Sequence, residues 1–401
     1  MKVAVIVVLL LLSAAGVTEG WEAFRGDVER RGYSPTETVP PTPEIAWTTF
    51  ADAPSSPVVG GLLVFVGTGD GELLALEAHS DRPVWRFKAG DQISTPTYSN
   101  GRIYFGSRDN NVYCVSEDNG NLLWKYQTNG PIYSSPAVRG NAVYITSTDN
   151  NVYALNASNG SLLWKKGLGA KITSSPAISG DRLYVGTWKG TMCSLDVSTG
   201  EVKWEFRPEI SGERENYPIV STPAVKGEII FFGSNNHYFY AINAAGEKLW
   251  EFEAGDKIPS SPSVAENVVY FGAVDGYVYS LWVENGDLRW KFQTGGEIHS
   301  SPAVTGKEVV IGSADGYLYN ISENGELNWK INVGAIMNNS PALAYGKVFI
   351  TTADGKIYCI GDWGKPGGDY LWQGLIYLGI SAFFLLLLLA YRHFIPEKSR
   401  G

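Results

Sequence analysis

Between Trp47 and Ile360 the apolar residues come in short runs, and nowhere with the spacing of a helix face. One stretch shows the pattern. Apolar or alternating segments at Ile132–Val138, Ala142–Ser147, Val152–Asn156 and Ser161–Lys166 are separated by Gly140, by Asp149-Asn150-Asn151 and by Asn159-Gly160. Each segment has the length and β-branched or aromatic content of a strand, and each separator is turn chemistry. Asp-Gly and Asn-Gly pairs favour tight hairpins because those turns need a positive φ. Four strands joined by short turns are predicted over these residues.

The same order of signals recurs along the chain. Trp stands at 47, 85, 124, 164, 204, 250, 290 and 329, at spacings of 38, 39, 40, 40, 46, 40 and 39. A Ser/Thr-Pro step or its equivalent keeps phase with it at Pro57, Pro96, Pro136, Pro176, Pro223, Pro262, Pro302 and Pro341. Four strands per period of about 40 residues is the pattern of a propeller blade. The expected fold is all-β: an eight-bladed β-propeller of four-stranded blades, or a seven-bladed one if a unit is degenerate. Trp47 precedes the first complete unit, and the last unit (Asn338–Ile360) lacks a Trp strand. Glu44–Phe50 is therefore expected to supply the outer strand of the last blade and close the ring, which removes two open edges.

The two ends carry a different pattern. Met1–Gly20 has Lys2, an apolar run Val3–Leu12 and small residues Ala14-Ala15-Gly16, as a secretory signal peptide does. Tyr370–Tyr391 holds 22 uncharged residues, including five consecutive leucines from Leu385. At about 1.5 Å per residue that length crosses a bilayer. Arg392, Lys398 and Arg400 in the tail point to a cytoplasmic C-terminus. The expected organisation is a signal peptide (1–20), a leader (21–43), the propeller (44–361), a stalk (362–369), a transmembrane helix (370–391) and a tail (392–401). The expected location is a cell membrane, crossed once, with the propeller outside the cytoplasm. Sequons at Asn156, Asn159, Asn320 and Asn338 suit an exported chain without establishing one.

Composition narrows the function. Aromatics at 13% with 46 Gly exclude a disordered chain. A formal charge of −9 leaves no basic excess for phosphates, so nucleic acid is not an expected partner. Three Cys (114, 193 and 359), with no CxxC, read as small buried residues, and no metal site is signalled. Asp70, Asp109, Asp149, Asp275, Asp315 and Asp354 recur at one hairpin offset, which is turn chemistry rather than a ring of ligands.

The Ala-Leu…Gly…Trp pattern, as in Ala154-Leu155…Gly160…Trp164, resembles the tryptophan-docking motif of the PQQ-like (quinoprotein-type) propellers. Trp21-x-x-Phe24-Arg25-Gly26-Asp27…Gly32-Tyr33-Ser34 resembles the leader that precedes such propellers. The resemblance spans about residues 21–361. It implies docking roles for Trp47, Trp85, Trp124, Trp164, Trp204, Trp250, Trp290 and Trp329. The first unit departs, with Asp81-Arg82-Pro83 in place of the Gly turn. Relatives of this kind are either quinone-dependent dehydrogenases or binding scaffolds such as outer-membrane assembly propellers, and a fold alone does not choose between them. The enzymes need carboxylate-held Ca²⁺ and often an adjacent Cys pair, which this sequence lacks. It looks more like the scaffolds.

A scaffold repeats and a site breaks the repeat. Trp188-Lys189-Gly190 replaces the hairpin consensus in the fourth unit, and Asn235-Asn236-His237 replaces it in the fifth. Between them lies the long insertion Pro208–Pro218, with Glu209, Glu213, Arg214, Glu215, Asn216 and Tyr217. Hairpins and outer-to-inner loops open on one propeller face, so Trp188, Lys189, His237, Glu213, Arg214 and Tyr217 are candidate ligand contacts there. His299 and Met337-Asn338-Asn339 start inner strands near the same channel mouth. The chain should leave after Ile360 on the opposite face. The functional expectation is a non-catalytic scaffold that binds a protein or cell-surface polymer. No catalytic residue and no cofactor are expected, with PQQ left open. The alternative is a small quinone- or metal-dependent oxidoreductase linked to the membrane.

Overall fold

The computed structural model describes residues 21–361 except 53–54 and 210–216. The expected signal peptide, stalk, transmembrane helix and tail, and the candidates Glu213 and Arg214, lie outside the described residues. Among the described residues no helix is long and apolar enough to cross a membrane.

Thirty-two strands form eight antiparallel four-stranded sheets, the eight blades of a propeller. Seven blades are continuous in sequence. The eighth joins Ala342–Ala344, Lys347–Thr351 and Lys356–Ile360 to Ile45–Phe50, with Thr48 opposite Tyr358 and Phe50 opposite Lys356. The ring is thus closed by the N-terminal strand, as its stray Trp implies. Side chains of the two middle strands of each blade are almost wholly buried, whereas the outer strand alternates, burying its Trp and exposing its flanks.

One boundary differs from the sequence reading in a way that matters. The innermost strand of the third blade is only Ala137–Arg139, not Ile132–Val138. Residues 132–136 instead tie blades together. Proline removes a ladder donor, and the two hydroxyl residues before it have separate tasks. The first accepts a backbone N–H from the second strand of its own blade, as Ser134 does from Thr146 (3.1 Å) and Ser55 from Gly67 (2.8 Å). The second accepts the N–H of its counterpart in the preceding blade. Ser135 N donates to Ser175 Oγ (2.9 Å), Ser175 to Thr222 (3.2 Å), Thr222 to Ser261 (3.0 Å) and Ser261 to Ser301 (2.9 Å). Ser301 continues to Ser340 (3.1 Å), Ser340 to Ser56 (2.9 Å) and Ser56 to Thr95 (3.1 Å). This belt runs around the channel and across the closure.

A second tie lies at the outer rim. Each repeat Trp donates its Nε1–H to a carbonyl beyond its own blade: Trp124 to Ala157 (2.9 Å), Trp250 to Val283 (2.9 Å) and Trp47 to Ala78 (3.1 Å). Trp329 has the leader's Pro40 (2.9 Å) instead. Six of the eight rings pack on a turn glycine of the next blade. At Gly160, with φ +73°, a Cβ would lie 2.6 Å from the Trp124 ring. A side chain there is excluded twice, by conformation and by space.

The leader fills the channel. Its carbonyls accept N–H groups from innermost strands that would otherwise present open edges: Trp21 from Val59 (2.9 Å), Glu22 from Tyr98 (2.7 Å), Val28 from Ile178 (2.8 Å) and Arg31 from Val264 (2.7 Å). Arg25 and Arg30 are fully buried. The Arg30 guanidinium donates to the carbonyls of Phe24 (2.6 Å), Ser135 (3.3 Å), Pro136 (2.6 Å) and Pro176 (3.1 Å). Arg25 donates to Pro262 O (2.8 Å), Pro302 O and Ser263 Oγ. All these contacts lie on the side of the belt away from the hairpins, so the leader covers the inner strands there.

Of the sequons, Asn320 is fully buried and donates its amide to Glu308 (3.0 Å), which removes it as a glycan acceptor in the folded chain.

Candidate functional site at the open channel mouth

The hairpin of each blade and the loop entering its inner strand meet on one face. Backbone bonds fix them together: Arg108 N to Gln92 O (2.9 Å), Thr148 N to Pro131 O (3.1 Å), Trp188 N to Lys171 O (2.9 Å) and Asn235 N to Pro218 O (3.1 Å). The recurring Asp completes this frame. The Asp149 carboxylate accepts from Asn151 N (3.1 Å), from Asn129 N of the adjoining loop (3.1 Å) and from the Tyr153 hydroxyl (2.5 Å). Asp109 and Asp315 bond their own Tyr113 and Tyr319 in the same way, at 2.6 Å each. Burial alone would raise these three carboxyls; hydrogen bonds from the tyrosines and from backbone N–H groups outweigh it and hold them below the ordinary value. They are structural anchors.

The fourth blade abandons that anchor as a unit. Lys189 stands in the Asp position and Cys193 in the Tyr position. Trp188 and Lys189 are exposed, Trp188 by 45%. The indole donates to Thr173 Oγ1 (2.9 Å), and Lys171 Nζ lies 5.8 Å from the ring centroid. The insertion reaches this hairpin: a Cβ on Gly190 would lie 2.5 Å from Tyr217 O, and Ile219 N donates to Thr187 O (3.0 Å). In the fifth blade His237 adopts φ +73°, where other hairpins use Gly or Asn. Such a conformation is uncommon for a side chain of this size and marks a position held by its surroundings. Its Nε2 lies 3.6 Å from the Asp256 carboxylate. Trp188, Lys189, Tyr217 and His237 therefore lie along adjoining hairpins and loops of blades four and five.

The sequence named only part of a second group, at His299 and Asn338. In six blades the residue three places before the repeat Pro borders the mouth, and it varies freely: Tyr133, Thr173, Val220, Pro259, His299 and Asn338. The Arg108 guanidinium lies 4.7 Å from the Tyr133 ring centroid, and both are exposed. His299 Nε2 is 3.0 Å from Glu297. The clue in the sequence was variation at one offset inside an otherwise strict repeat. Beneath these residues is a cavity of about 290 Å³, with the hydroxyl belt around it and Phe24 of the leader among its walls.

The chemistry of the donors can be compared with what a calcium–quinone centre needs. Among the described residues no carboxylate lines the cavity, and no three His, Cys, Asp or Glu side chains gather to hold a metal ion. The three cysteines are buried and separate; burial pushes the Cys114 and Cys193 thiols up to about 12. The residues present do not fit that centre.

Phased four-stranded blades, docking tryptophans and a ring closed by the N-terminal strand define a PQQ-like β-propeller. A family model described as the β-propeller of beta-alanine-activating enzyme matches residues 51–268, more than half of the chain, and the chain belongs to that propeller family. A model described as outer membrane protein assembly factor BamB matches residues 214–373. BamB from Moraxella catarrhalis superposes with a TM-score of 0.71 at 15% identity, over 80% of this chain and 100% of that one. Quinohemoprotein alcohol dehydrogenase ADHIIG from Pseudomonas putida HK5 superposes with a TM-score of 0.75 at 14% identity, over 87% of this chain and 81% of that one. The enzyme of the same kind from Comamonas testosteroni gives 0.73 at 14%, over 90% and 83%. At such identities the likeness is one of fold. No curated protein matches the chain significantly.

Proposed function

We propose that this protein is a membrane-anchored, exported scaffold that binds a protein or cell-surface polymer through the hairpin face of blades four and five, without chemistry of its own. One observation carries the reading: the repeat is broken in adjoining loops, and those loops pack against one another. The Trp188-Lys189 hairpin, the Tyr217–Ile219 segment and the Asn235-Asn236-His237 hairpin join through the contacts at Gly190, Thr187 and Pro218. A solvated indole suits an interface, since aromatic side chains are enriched in protein contacts. The similarity to BamB supports the binding role. Among the described residues no carboxylate lines the cavity and no metal-binding cluster forms, which argues against calcium–quinone chemistry there. The topology sends the chain out of the propeller at Ile360, on the side away from the hairpins. An anchor at 370–391 would then hold the candidate face outward.

A photocrosslinker at Trp188 in intact cells tests the reading. A discrete adduct that disappears on Lys189→Glu is expected. Uniform weak labelling, equal to that from a site on the opposite turns such as Gly140, would overturn it. Antibody access to Glu213 from outside the cell tests the orientation; access only after the membrane is opened would refute it.

A further inference from the structure

The chain is acidic, with a formal charge of −9, yet two arginines lie fully buried in the channel. Two guanidiniums, Arg25 and Arg30, are sealed just beneath the belt and donate only to carbonyls and one hydroxyl. No described carboxylate bonds either of them directly; Asp27, paired with Arg31 at 2.8 Å, is near enough to offset part of their charge. Arg25 Nε has no partner. Burial lowers Arg25 to about 9 and Arg30 to about 10, so both remain charged near neutral pH.

Above them all eight belt hydroxyls line the cavity. Those of Ser56, Thr95, Ser175, Thr222, Ser261, Ser301 and Ser340 each accept a backbone N–H from a neighbouring blade, as given above. None donates its own proton to a described protein acceptor. The floor of the cavity is therefore a ring of unspent donors over buried positive charge. At its lip the Arg108 guanidinium, stacked on Tyr133, donates to no described side chain. Water can satisfy the hydroxyls, but an anion satisfies them and also adds to the partial offset that Asp27 gives the charge below.

We propose that the cavity is a carboxylate-binding site. Its 290 Å³ is at the small end of ligand pockets, which begin at roughly 300 Å³. That admits one small polycarboxylate, or an acidic side chain inserted by an extended partner segment. The peptide source rests on the partner reading above; the free-anion source does not. Arg108 is the selecting residue, because among the described lining residues it presents the uncommitted guanidinium.

Calorimetry on the purified full-length chain decides, with citrate, a hexa-glutamate peptide and a hexa-glutamine peptide as probes. Binding of citrate or hexa-glutamate, with none of hexa-glutamine and weakening with added salt, is expected. Arg108→Gln should weaken it about tenfold or more, the loss of one charge-assisted hydrogen bond. Tyr133→Leu should weaken it less, by freeing the guanidinium. Arg108 is exposed, so the variant should fold, and circular dichroism verifies that. Citrate alone binding assigns the free-anion source, and hexa-glutamate alone the peptide source. No binding at millimolar probe, equal binding of hexa-glutamine, or binding unchanged in Arg108→Gln overturns the site. The Trp188 adduct is independent of these titrations, so failure here with the adduct intact leaves the scaffold reading standing.

Discussion

At the scale of single residues, repetition turned out to mean stability. Gly160 illustrates how tightly a repeat position can be constrained. Gly160→Ala must adopt a positive φ and also move the Trp124 ring; a loss of about 2–3 kcal/mol is expected in chemical denaturation. Gly140 has nothing within 4 Å of a Cβ but shares a positive φ, so Gly140→Ala should cost only about 1 kcal/mol. Equal losses would sink the docking argument. The anchoring aspartates make a pH prediction. Asp109, Asp149 and Asp315 are held below the ordinary 3.8 in the folded chain, so their stabilisation is complete above that value. It is lost as the pH falls below 3.8 through the lowered folded values. Denaturation midpoints should drop steeply in that window, and an Asp149→Asn/Asp315→Asn double variant should show a shallower drop. The hairpin role of these residues was legible in the sequence because turn chemistry is local. Their tyrosine partners, four residues on, were not recognised there, since nothing in a short motif says that a hydroxyl will reach back across a hairpin.

At the scale of elements, the leader is the surprise. Its residues looked like a family-typical preamble, and its place was not read from them. It lies in the channel because innermost strands leave N–H groups unpaired, and a strand of carbonyls satisfies them. Its two buried arginines hold carbonyls from several blades at once. Arg30→Met removes the donors for Phe24, Ser135, Pro136 and Pro176 while relieving a buried charge. Four orphaned carbonyls outweigh that relief, and a net loss of roughly 2–4 kcal/mol is expected. Thermal unfolding followed by tryptophan fluorescence would measure it; an unchanged midpoint would show that water replaces the guanidinium. The innermost strand was also overestimated at Ile132–Val138, because apolar and β-branched residues there suggested a ladder. They serve the belt instead.

At the scale of the whole molecule, closure governs. Ile45–Phe50 pairs with Lys356–Ile360, joining the two ends of the propeller. Removing residues 44–50 should open the ring, expose the eighth blade to protease and lower the unfolding temperature of every blade together. Loss confined to the eighth blade would mean that the blades behave as independent units, as in an open solenoid.

The sequence by itself determined the blade count, the strand order, the hairpins and the closing strand. These rest on signals repeated every 40 or so residues, each readable within a few positions. It also pointed to Trp188, Lys189 and His237 as breaks in the repeat. Only the tertiary structure decided that Arg108 and Tyr133 join His299 and Asn338 at the channel mouth, that the leader lies along the inner strands, and that Arg25 and Arg30 lie beneath the hydroxyl belt. Those facts depend on contacts between residues hundreds of positions apart, such as Arg25 with Pro302. Such contacts exist only once the ring has closed and its inner edge has N–H and C=O groups left to satisfy.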